Sequence, residues 1–233
     1  MKLFLTSRLL TDPDLRLNPM NGFVNSLREV FSPYEELVYV SSNPEAYEDN
    51  DAAMNEVVSA FASEGLKFTK TIVLDGRNSS SAGDICQGKD KMIILSKGDV
   101  FSQNRFFHSI DFKSIIRKFA GTVVAEGGGA MNCSGVLYVM PRTLDQAFSN
   151  TFMKFLPGLG LTSRAIIPHF ERVRSRMLGN LRYMEDVILS DSNGKSFFAL
   201  PEGSFISYDG GKETINGPIW HIHDGEIQEV VIS

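Results

Sequence analysis

Five short apolar runs, each rich in β-branched residues, constrain the fold of this 233-residue chain more strongly than any other feature. They are residues 3–7, 37–42, 71–75, 92–95 and 122–125. None of them alternates cleanly between apolar and polar positions, which is typical of strands covered on both faces. We therefore predict a three-layer α/β/α fold around a mostly parallel central sheet.

The stretches between and beyond these runs indicate the remaining elements. Residues 45–65 place apolar side chains at helical spacing and end at Gly65, a residue type common at helix C-termini. Residues 106–119 form a second apolar face, which Asp111 divides as a candidate start of a new helix. Beyond Ser196, short segments alternate with turn signals, which predicts a C-terminal β-meander. No repeat or linker-like tract interrupts the chain, so we expect one domain over residues 1–233.

Composition and charge narrow the classes of partner. A net charge of −5 does not favour binding to nucleic acid or to an anionic membrane, because both require a dense basic patch. The apolar run after Met1 is shorter than a signal peptide requires, and no stretch reaches the length of a transmembrane helix. Cys86 and Cys133 lack metal-ligand spacing and are expected to be ordinary buried thiols of a cytoplasmic protein. The oligomeric state is left open, a homodimer included.

A run of three glycines is the first candidate functional feature. The buried strand at residues 122–125 leads through Glu126 into Gly127, Gly128 and Gly129, and a predicted helix follows. One interpretation is a tight turn or a phosphate cradle. The other is the strand-turn-helix elbow of hydrolases, whose apex residue has a positive φ and whose neighbouring amides stabilise developing negative charge.

Four blocks of the sequence resemble the peptidase S51 family, which includes peptidase E and cyanophycinase and has a fold similar to class I glutamine amidotransferases. The family elbow, Gly-x-Ser-Ala-Gly-Ala/Ser and often Met-Asn, aligns without gaps with residues 125–132, and Gly127 falls on the serine. Residues 93–104 resemble a strand that ends in a Gly-Gly turn, with Lys97 in place of the first glycine. Residues 166–170 resemble the strand that ends in Pro-His-Phe, and residues 200–206 resemble a fourth block.

The resemblance implies a serine-hydrolase site. Gly127 then occupies the nucleophile position, His169 is the base, and Asp145 is the carboxylate that orients the imidazole, although Asp145 also fits a solvated loop. The amides of Gly98 and Gly128 are the candidate oxyanion-hole donors. The resemblance also implies substrates with aspartyl residues.

Arginines flank His169, and we selected Arg172 as the candidate that pairs with a substrate carboxylate. The alternative is that Arg164, Arg172, Arg174 and Arg176 are the polar face of a helix that continues to Ile188. His221 and His223 have a spacing that can chelate a metal, but without a third ligand they are better explained as part of a hairpin strand. We expect no metal and no cofactor.

Glycine at the apex decides the functional expectation, because it cannot attack a carbonyl and form an acyl-enzyme. Cys133 and Ser134 lie about two helical turns further on and are expected to point elsewhere. We therefore expect an inactive homologue that binds a small acidic or peptide-like ligand. One alternative is that the protein in cells is an active serine-type dipeptidase that acts on aspartyl peptides, with Gly127 either an engineered inactivating substitution or bypassed by water. A glutamine amidotransferase-like subunit is disfavoured, because it needs a cysteine at the elbow.

Overall fold

A seven-stranded sheet forms the centre of the protein, whose computed structural model describes residues 1–33 and 35–230. Five of its strands coincide with the five apolar runs: β1 (Lys2–Thr6), β2 (Glu36–Val40), β3 (Lys70–Leu74), β4 (Lys91–Leu95) and β5 (Thr122–Glu126). All five run parallel. Two later strands, β12 (Phe205–Asp209) and β13 (Lys212–Asn216), extend the sheet beyond β1, giving the order β13-β12-β1-β5-β4-β2-β3. The mostly parallel central sheet is confirmed.

Helices cover both faces of this sheet. The helices of the protein are α1 (Phe23–Val30), α2 (Tyr47–Ser63), α3 (Ala82–Ile85), α4 (Val100–Ser109), α5 (Phe112–Arg117), α6 (Gly128–Asn132), α7 (Leu144–Phe148), α8 (Phe170–Ser175) and α9 (Leu189–Asp191). The last three pack in a separate core with residues of later strands. The predicted helix over residues 45–65 is α2, and Gly65 follows it with a φ of 79°. The expected restart at Asp111 is also confirmed, since its φ of 47° separates α4 from α5.

Alternating side chains of the strands pack into two cores. Leu5, Leu95 and Ala125 face α4 and α5, whereas Phe4 and Ile94 face α1 and α2. Because successive residues of a strand point to opposite faces, a sheet with apolar residues at every position needs a helical layer on each side. The three-layer prediction is confirmed by this packing.

A second sheet of four strands stands beside the first. It consists of β8 (Ala165–Ile167), β11 (Ser196–Ala199), β14 (Trp220–His223) and β15 (Glu226–Glu229), in the order β15-β14-β11-β8. Two short hairpins complete the strands: β6 (Val136–Tyr138) with β7 (Phe155–Pro157), and β9 (Met177–Leu178) with β10 (Leu181–Arg182).

The C-terminal strands do not form one continuous meander. β11 belongs to the second sheet, β12 and β13 pair along β1 in the central sheet, and β14 and β15 return to the second sheet. The turns at residues 210–211 and 224–225 are hairpins, as their sequences indicated, whereas the stretch around Gly217 carries the chain from one sheet to the other.

The helix that would have carried the arginines to Ile188 is interrupted. α8 ends at Ser175, Gly179 adopts a φ of 60° between β9 and β10, and the segment Tyr183–Ile188 is π-helical. The positive φ at Gly179 ends any continuous helical path.

Cys86 and Cys133 are buried, and burial raises the pKa of Cys86 to about 12. Among the described residues, no helix combines the length and apolar character needed to cross a membrane.

Candidate functional site

The glycine triplet forms a strand-turn-helix elbow between β5 and α6. Gly127 has φ 54° and ψ −116°, which confirms the predicted positive φ at the apex. A Cβ on Gly128 would lie 2.7 Å from the carbonyl oxygen of Gly98, and one on Gly129 would lie 2.2 Å from that of Leu95. The triplet is therefore required for two reasons: the first glycine adopts the strained backbone, and the other two let α6 approach the β4 end.

The carboxyl end of β4 lies directly beside the elbow. Leu95 pairs with Ala125 across the neighbouring strands, and Gly98 follows with a φ of 133°. Gly128 is the first residue of α6, so its amide has no partner within that helix. The closeness of Gly98 and Gly128 is compatible with a shared role in holding an oxyanion.

A network of buried amide side chains fixes this arrangement. Asn132 donates to Oε1 of Gln103 over 3.1 Å and accepts from Asn104 over 2.8 Å. Gln103 in turn donates to the carbonyl oxygen of Ser96 over 3.0 Å. Since all of these groups are buried and bonded, the network holds the Gly98 loop against α6. This network could not be predicted from the sequence, because its amide side chains lie on two helices whose contact depends on the fold.

His169 comes from the second sheet and faces the elbow. It follows β8 with a φ of 58°, and its amide donates to the Ser7 hydroxyl over 3.0 Å. Its Nε2 lies 3.7 Å from the position that a Cβ on Gly127 would occupy. A hydroxyl on that carbon would reach hydrogen-bond distance of Nε2, which is the relation of a nucleophile to its base.

The carboxylate beside His169 is Glu202, not Asp145. Nδ1 of His169 lies 2.7 Å from Oε1 of Glu202, and Nε of Arg8 lies 3.3 Å from the other carboxylate oxygen. The hydrogen bond from His169 holds the pKa of Glu202 below its usual range. Asp145 is instead exposed in the first turn of α7. Glu202 lies in the block at residues 200–206, which the sequence analysis singled out without assigning it a role.

A cavity of about 180 Å³ opens in front of Gly127 and His169. Its charged lining residues are Lys97, Arg142 and Arg176, all basic, and the His169 ring also lines it. Apolar side chains, among them Val100 and Met131, complete the wall. The arginine selected from sequence, Arg172, lies apart from this cavity and lines a neighbouring one with Arg8 and Glu202.

A buried carboxylate lies behind the apex. Glu126 is only 2% exposed, and it accepts hydrogen bonds from the amides of Leu9, over 3.0 Å, and of Lys97. Burial raises its pKa, whereas these two hydrogen bonds and the nearby cations act in the opposite direction. Glu126 thus ties the loops after β1 and β4 to the elbow. Its role was not predicted, because in sequence it is only the last residue of an apolar strand.

The paired histidines of β14 share one face, as their spacing indicated. The rings of His221 and His223 are 4.4 Å apart, and Nε2 of His221 lies 2.6 Å from the Ser196 hydroxyl. Within residues 1–33 and 35–230, no group of three or more histidine, cysteine or acidic side chains is arranged to hold a metal ion.

No family model and no curated protein matches the sequence of this chain. Similar proteins are found among solved structures instead. The fold is that of peptidase E-like structures. The crystal structure of a peptidase from an acI-B1 Actinobacterium is similar with a TM-score of 0.66 and 15% identity, over 98% of this chain and 93% of that one. A protein described as a candidate peptidase E from Listeria monocytogenes EGD-e is similar with a TM-score of 0.55 and 13% identity, over 92% and 97% of the two chains. At these identities the likeness concerns the fold.

Proposed function

We propose that the protein is a peptidase E-like hydrolase homologue that forms no acyl-enzyme and binds a small acidic or peptide-like ligand in the cavity beside Gly127. One observation carries the proposal. The Nε2 atom of His169 faces an apex that has elbow geometry but bears no hydroxyl. Covalent acyl transfer needs an attacking side chain at that point.

The other groups of a hydrolase site are in positions that support this reading. Glu202 orients the imidazole through Nδ1, the role first assigned to Asp145. The amides of Gly98 and Gly128 are the candidate donors to an oxyanion, because a Cβ on Gly128 would lie 3.7 Å from the Gly98 nitrogen. Basic side chains around the cavity favour a ligand that carries negative charge.

An active serine-type dipeptidase with its nucleophile elsewhere has less support. The Ser134 hydroxyl is buried and donates to the carbonyl oxygen of Arg164 over 2.7 Å, and Cys133 is fully buried. Burial also raises the pKa of the Cys133 thiol, which disfavours the reactive thiolate. Neither residue lines the cavity.

The test is labelling with a serine-directed phosphonate followed by mass spectrometry of the intact protein. We expect no label on the wild type and a single label on Gly127→Ser, because the new hydroxyl lies beside His169. In that background, His169→Ala abolishes the label. Glu202→Gln lowers the labelling rate by up to about 10⁴-fold, by analogy with loss of the orienting carboxylate in a serine protease.

Asp145→Asn in the same background is the matched control for Glu202→Gln, since Asp145 is exposed on α7. Equal losses from the two substitutions would contradict the assignment of Glu202. Labelling of the wild-type protein at any residue, with cleavage of Asp-Xaa dipeptides that disappears when that residue is replaced, would overturn the proposal as a whole.

A further inference from the structure

Lys97 occupies the space next to the side-chain-free apex. A Cβ on Gly127 would lie 3.3 Å from Cβ of Lys97 and 3.6 Å from its Cα. A side chain on Gly127 would therefore make a tight contact with Lys97, which would have to shift by a few tenths of an ångström. Lys97 thus places a cationic side chain in the cavity lining, on the side where Gly127 and His169 lie.

Two of the cations that line the cavity have no direct ion pair within the described part of the chain. Arg142 pairs with Asp99 over 2.9 Å, and His169 pairs with Glu202. Neither Lys97 nor Arg176, by contrast, forms a salt bridge with a carboxylate among residues 1–33 and 35–230. Unpaired cations around a concave, partly apolar surface focus the electrostatic potential and attract an anion.

The basic residues that line the cavity fall into two groups. Lys97 and His169 adjoin Gly127, whereas Arg176 and Arg142 are in contact with each other through a 3.2 Å hydrogen bond from Nη2 of Arg176 to the Arg142 carbonyl oxygen. A volume of about 180 Å³ is smaller than the roughly 300 to 1,000 Å³ of pockets that hold drug-sized ligands. The occupant that matches both the size and the two cationic groups is a short molecule with a negative charge at each end.

We propose that this cavity binds a small dicarboxylate, with one carboxylate at Lys97 beside Gly127 and the other at Arg142 and Arg176. The inference rests on the proposed function, and it adds that Lys97 determines specificity for a free carboxylate over an uncharged amide. Charge recognition of this kind discriminates, because an amide leaves the lysine without its counter-charge.

Isothermal titration calorimetry with two probes tests the proposal. Succinate carries two carboxylates, and succinamate replaces one of them with an amide of nearly the same shape. We expect the wild type to bind succinate at least about tenfold more tightly than succinamate, which is the range for a contact with a charged group. Lys97→Met weakens succinate binding by about 10-fold to 100-fold and reduces the preference for succinate over succinamate.

Lys67→Met is the matched control, because Lys67 is exposed and far along the chain from every lining residue. It leaves both affinities unchanged. If Arg176→Met abolishes succinate binding while Lys97→Met has no effect on affinity or preference, the role of Lys97 is wrong and the proposed function stands. If neither succinate nor an Asp-Xaa dipeptide binds at up to about 10 mM, where a millimolar Kd is detectable, the ligand-binding function itself is overturned.

Discussion

Replacing Gly127 with serine puts a side chain where the backbone and a neighbour both resist it. The φ of 54° with ψ of −116° is a conformation that costs a non-glycine residue about 1 to 3 kcal/mol. The new Cβ also lies 3.3 Å from Cβ of Lys97, a tight contact that the lysine side chain must relieve. For a chain of this length, about 1 to 3 kcal/mol corresponds to a fall in Tm of about 2 to 12 °C.

The contact with Lys97 makes the two positions interdependent. We expect Lys97→Gly to recover part of the stability lost in Gly127→Ser, so that the double variant is more stable than the sum of the single effects predicts. Thermal unfolding of the wild type, both single variants and the double variant measures this coupling. Gly65→Ser is the matched control, since Gly65 has a φ of 79° but no atom within 4 Å of an added Cβ.

Two results would refute this reasoning. An unchanged Tm for Gly127→Ser would mean that the apex does not have the strained backbone. Additive effects of Gly127→Ser and Lys97→Gly on the Tm would mean that the serine and lysine side chains do not contact each other.

Two further predictions follow from the elbow and from a buried carboxyl. Gly129→Ala is expected to destabilise the protein by several kcal/mol in urea unfolding, because its Cβ would lie 2.2 Å from the Leu95 carbonyl oxygen, whereas Gly83→Ala meets no atom and stabilises α3 slightly. Burial raises the pKa of Glu35 from 4.5 to about 7, so the folded state binds a proton that the unfolded state has lost, and the free energy of unfolding falls as the pH rises across that interval. Glu35→Gln removes this part of the pH dependence, and parallel profiles of the two proteins between pH 4.5 and 7 would contradict it.

The strands of the central sheet could be predicted from sequence, because each one is recognisable from its own residues. Apolar runs such as residues 92–95 need no knowledge of their partners to be recognised as buried strands. The elbow could be predicted in the same way, since its strand, glycines and helix are contiguous in sequence. The assignment of the last strands to one sheet or the other could not be predicted, because the residue pattern of β12 is the same whichever sheet it joins.

The site was predictable only where its residues lie at the ends of recognised elements. His169 follows a strand, whereas Glu202 reaches it from a connection 33 residues later, so nothing in sequence distinguished Glu202 from Asp145. Arg172 was selected because it flanks His169 in the sequence. α8 ends at Ser175, and it is Arg176, beyond the helix, that lines the cavity.

The alternation of the C-terminal strands between the two sheets has a consequence for how the site comes into being. Gly127 belongs to the central sheet and His169 to the second, and Glu202 lies on the connection that crosses from β11 to β12. β1 pairs with both β5 and β12, which joins the first strand to a segment about two hundred residues later. Contacts this distant in sequence form late, because the intervening chain must first be ordered. Recovery of ligand binding during refolding therefore reports the last step of assembly, and a chain still emerging during synthesis has no functional pocket.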